Sequence, residues 1–161
     1  MKFTSTLLLK TVLIAISFVA VGLGSLLLPS IFRGWPAEYP TIANLRYPFV
    51  IGIGLTLIPF FTALYQAFKI LKYIEDDKVF TAASLRPLKV ISYAALIISI
   101  IYAAELVVIY QVVQVEDAPG LFLIWSAIFV GIPIVIAVFS AVIQGLLAKA
   151  ITLKSENDLT V

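Results

Sequence analysis

Four long apolar runs, separated by short polar stretches, set the pattern of the chain. Residues 7–28 are apolar apart from Lys10 and a few small hydroxyls, and they stop at Pro29. Three further runs cover 47–71, 90–113 and 121–148. At about 1.5 Å of rise per residue, each is long enough as a helix to cross a hydrocarbon core of about 30 Å. The pattern predicts an all-α membrane protein with four transmembrane helices in two antiparallel hairpins. The whole chain, 1–161, reads as a single integral membrane domain with the bilayer as its first partner. Lys2 and Lys10 before an apolar run also resemble a signal peptide, but the run exceeds the about 7–15 residues of a signal core and lacks a clear cleavage site. A retained first span is expected.

The stretches between the runs have distinct characters. Pro29, Pro36, Pro40 and Pro48 predict a loop from 29 to 46, with Trp35, Tyr39 and Tyr47 anchoring it at the headgroup level. Pro59 and Pro133 lie inside the second and fourth runs, where each removes one helical hydrogen bond and predicts a kink. Residues 114–120 form a short turn. A charged segment, 72–89, separates the two hairpins, and a polar tail covers 149–161. Thr81 reads as an N-cap for a short surface helix through Ala82, Ala83 and Leu85, with Pro87 bending the chain before the third span.

Charge turns this pattern into a topology. Nine Lys and Arg flank the N-terminus, the central segment and the tail, whereas Arg33 and Arg46 alone lie on the other side. Cationic residues accumulate in cytoplasmic loops. Both termini and the central segment are therefore expected on the cytoplasmic side of the cell (inner, cytoplasmic) membrane.

Composition narrows the chemistry. Hydrophobic residues make up 62% of the chain and charged ones 12%, about half the share usual in soluble domains. With no Cys and no His, thiol chemistry, the commonest metal ligand and the usual proton shuttle are all missing. The formal charge of +2 is too small to predict direct nucleic-acid binding. Glu75, Asp76 and Asp77 read as a solvated helix end, because no spaced set of oxygen ligands accompanies them. No metal, cofactor or catalytic residue is expected, and the chain reads as a non-enzyme.

Two features inside the spans stand out. Helices in lipid approach closely through small residues. The third span carries Ala95, Ser99 and Ala103 and the fourth Ala137, Ala141 and Gly145, each set at intervals of four. Positions 95 and 145, 99 and 141, and 103 and 137 each total 240, centred on Gly120 in the turn, so the two stripes are expected to meet at equal depth. Glu105 is the one acid within a span, about 200° around the helix from Ala103 and away from that seam. Ionisable groups in hydrocarbon are costly and face a partner, the bundle interior or water. Glu105 and Tyr102 are thus candidate intramembrane functional residues, as a proton or cation site or a partner contact. The alternative is an acid that fixes packing, bonded to a tyrosine or reached by Arg46 or Arg33.

Phe80-Thr81, then Leu85-Arg86 ahead of a span, and the ending KSENDLTV at 154–161 resemble the family called domain of unknown function 2975. The resemblance implies a small bacterial protein of four spans. Pro87 departs from the family pattern, where the helix more often continues. Members are often encoded beside a small Cro/CI-type helix-turn-helix protein, which the resemblance implies as a cytoplasmic partner. Phe80, Arg86, Glu156 and Asp158 are the candidate partner-binding residues. The expected function is a regulatory or accessory membrane protein; the alternative is a small transporter, channel or immunity-type protein acting within the bilayer. Four spans are few for a complete transporter, so a homo-oligomer is also a candidate assembly.

Overall fold

The structure is a computed structural model that describes residues 2–117 and 119–159, with side chains from 5 to 157. It contains four long helices: α1 (Lys2–Glu38), α2 (Arg46–Glu75), α3 (Leu85–Val115) and α4 (Leu121–Leu159). Short 3-10 turns, Ala43–Leu45 and Ala82–Ser84, lead into α2 and α3. Among the described residues these four helices are long and apolar enough to cross a membrane. Each packs chiefly on its neighbour in the chain, α1 on α2, α2 on α3 and α3 on α4, and the α3–α4 seam is the most extensive.

The helix ends correct several sequence expectations. Helix α1 continues through Pro29 and Pro36 to Glu38, where a loop was expected. Each proline costs one helical bond; around Pro29, among apolar residues, the helix satisfies the remaining backbone groups. Pro40 ends α1, since the residue before a proline is disfavoured in the α region. Pro48 and Pro87 each take the third position of their helix, where the missing N–H has no intrahelical partner in any case. Pro87 is fully buried in the first turn of α3, so α3 begins at Leu85. The expected surface helix is only the single 3-10 turn, and the Thr81 hydroxyl donates back to the Lys78 carbonyl at 2.7 Å. Residues 149–159 of the expected tail continue α4.

Polar contacts hold the two ends of the bundle. Asp77, at φ 52°, closes α2 in a Schellman motif: Asp77 N–H donates to Ile74 O and Lys78 N–H to Tyr73 O. Glu75 in the last turn pairs with Lys10 of α1 at 2.6 Å. At the opposite end, Glu116 Oε1 accepts from Thr41 N–H at 2.7 Å and Ile42 N–H at 3.2 Å. That carboxylate, carried by the end of α3, covers free donors at the turn leading into α2. Trp35 is buried at this same end of the bundle. Its ring stands 5.0 Å from Phe49 and 5.1 Å from Tyr39, and its Nε1–H donates to Ile42 O.

The two helix hairpins are joined differently. In the first, a Cβ at Gly24 would meet Leu57 Cδ1 at 3.6 Å, and one at Gly54 would meet Leu28 Cδ1 at 3.9 Å. In the second, Ser92 donates to Ala137 O at 2.8 Å and Ser99 to Val130 O at 2.6 Å. Ala94, Ala95, Ile98, Ser99, Ala137 and Ser140 are buried. Ala95, Ser99 and Ala137 thus lie inside as expected, whereas Ala103, Ala141 and Gly145 are exposed. The bonded positions total 229, not 240. The seam has slid by about eleven residues, or three helical turns, which restores the same helix face at a different depth.

Candidate functional site

The intramembrane acid lies where α2 and α3 meet. Helix α2 presents Gly52, Thr56 and Pro59 at helical spacing, and Thr56 and Pro59 are buried. Opposite them, the carboxyl of Glu105 occupies the space beside Gly52. A Cβ there would overlap Oε1 and lie 2.9 Å from Cδ. Glycine at this position is therefore what gives the acid its place, a role that the sequence pattern does not signal.

Among the described residues no side chain hydrogen-bonds to the acid. Glu105 Oε2 is buried without a hydrogen-bond partner among the described residues. Tyr102 does not bond to it: its ring turns to α4 and meets Phe129 edge-on at 6.5 Å. Arg46 does not reach it either. Its guanidinium carbon stands 4.7 Å from the Phe32 ring centre and 4.9 Å from that of Tyr47, and one of its nitrogens donates to the Tyr47 hydroxyl at 3.0 Å. The structure brings Glu105 together with Gly52, not with Tyr102 or a cation.

The residues expected to bind a partner gather at the other end. Phe80 and Arg86 are exposed between α2 and α3, and Phe80 keeps 54% of its surface. Because α4 runs antiparallel to α3, its last turns lie at this same end, with Glu156 exposed. The side chain of Asp158 and residues 160–161 lie outside the described residues. This end also holds Lys10, Lys72, Lys78, Lys89, Lys149 and Lys154, whereas Arg33 and Arg46 lie toward the other. Sequence reasoning missed Glu116 altogether, since an acid in a short turn carries no sign of a bond to residues 41 and 42.

Comparisons with known proteins agree with this architecture. The chain is 44% identical over 161 residues to "Uncharacterized membrane protein YoaS" of Bacillus subtilis (strain 168), covering 100% of both chains. No solved structure matches it. The family described as "Protein of unknown function (DUF2975)" matches residues 30–161. With four helices able to span a bilayer and a full-length relative named as a membrane protein, this is a small multi-pass integral membrane protein that belongs to the DUF2975 family.

Proposed function

We propose that the protein is a non-enzymatic regulatory or accessory component of the bacterial cytoplasmic membrane that engages a soluble partner at its lysine-rich end. The carrying observation is the extension of α4. The helix continues past Ala148, the last residue of its apolar run, to Leu159, with Lys149, Lys154 and Glu156 exposed. Phe80 and Arg86 are exposed at the same end. Charge asymmetry supports placing that end and both termini in the cytoplasm. A small helix-turn-helix regulator, implied by the family resemblance, is the candidate partner.

Two experiments test this reading. In intact cells, a cysteine at Glu38 should react with an impermeant thiol reagent, and one at Asp77 should be protected; both sites are exposed and the chain has no native Cys. The reverse pattern overturns the orientation. From native membranes, the gently solubilised protein should carry a helix-turn-helix protein that is lost with Phe80→Ala plus Arg86→Glu. Its absence, or retention by that variant, overturns the partner surface.

A second reading, a small transporter, channel or immunity-type protein, draws its support from Glu105 against Gly52. Proton-coupled flux in liposomes, abolished by Glu105→Gln, would favour it.

A further inference from the structure

The α2–α3 seam brings several hydrogen-bond acceptors near Glu105. Thr56 already spends its hydroxyl proton on Ile53 O at 2.6 Å, which leaves its oxygen as an acceptor. Pro59, on the same face of α2, has no N–H, so the Leu55 carbonyl loses its helical donor. An ionised Glu105 would add two more acceptor oxygens, one of them buried and unpartnered.

A single positive charge resolves this arrangement. A divalent ion would leave net charge in the seam, and alkali or alkaline-earth ions seek several convergent oxygens, about six for Ca²⁺ or Mg²⁺. A proton needs only one carboxylate oxygen and converts it into a donor. We propose that Glu105 is a reversible proton-binding site in the α2–α3 seam, for which Gly52 supplies the space. The site holds whether the protein acts through a soluble partner or within the bilayer.

The surrounding titratable and charged groups leave the acid isolated. On α2 they are Arg46, whose guanidinium lies at Phe32 and Tyr47 with its Nε buried and unpartnered among the described residues, and Tyr47 itself, bonded to Arg46. On α3 the nearest is Tyr102, which packs on Phe129. Helix α4 has no titratable residue from Leu121 to Ala148.

The test treats the full-length protein in liposomes with N,N′-dicyclohexylcarbodiimide across a pH series and maps the adducts by mass spectrometry. This reagent takes the proton of a carboxylic acid, and the carboxylate adds to its central carbon, so the adduct keeps all atoms of both. Labelling should concentrate on Glu105, fall by about tenfold or more between pH ~5 and ~9, and be unaffected by sodium at fixed pH. Glu105→Gln should remove the adduct. Gly52→Ala, which displaces the carboxyl, should reduce it several-fold, whereas Gly131→Ala, with open space at its Cβ, should not. An adduct absent at every pH, labelling that ignores pH, or protection by sodium would overturn the proposal. If Gly52→Ala fails to fold, the pH series and Glu105→Gln still decide it.

Discussion

Helices α1 and α3 are both apolar enough to cross a membrane, yet they are used differently. None of the most apolar stretch of α1 is buried, whereas 22% of the corresponding stretch of α3 is. Apolarity does not account for the difference. In lipid, burying one apolar side chain against another gains little, because the hydrocarbon it leaves is equally apolar. What α3 has is Ala95 and Ser99 buried one turn apart, with Ala137 and Ser140 buried on α4 and the hydroxyls of Ser92 and Ser99 bonded to the backbone of α4. Apolar content inserts a helix; small and hydroxylated residues decide what it packs on.

This contrast can be broken at the α3–α4 seam. Ser99→Leu places a large side chain in a buried site and removes the bond to Val130 O, so it should destabilise by about 2–3 kcal/mol. Reversible unfolding by a denaturing detergent in mixed micelles measures this. Ala141→Leu, expected from sequence to be as harmful, should stay within about 0.5 kcal/mol because Ala141 is exposed. Equal effects would restore the register that the sequence predicted.

Smaller changes sharpen the comparison. Ser92→Ala loses one bond to Ala137 O and should cost about 0.6 kcal/mol in the same assay. Lys10→Gln breaks the pair with Glu75, which is partly exposed. The loss should be small at low salt and smaller still at high salt. Phe18→Leu, at a residue of α1 that is 75% exposed, should be the mildest, well below about 0.5 kcal/mol. A large loss from Phe18→Leu would mean that α1 packs on more than α2 and lipid.

The sequence alone determined the four spans, the helix faces that turn inward at Ala95, Ser99 and Ala137, and the uneven distribution of Lys and Arg. These follow from residue type and period, which are properties of single segments. Only the tertiary structure decided the depth at which α3 meets α4, because a slide of three turns returns the same face and leaves the periodicity unchanged. It likewise decided that Pro29 and Pro36 stay helical and that Trp35 is buried. The bond from Glu116 to residues 41 and 42 and the lodging of Glu105 against Gly52 belong to the same group. Each depends on a contact between residues far apart in the chain, and the pattern of one segment carries no record of which surface will face it.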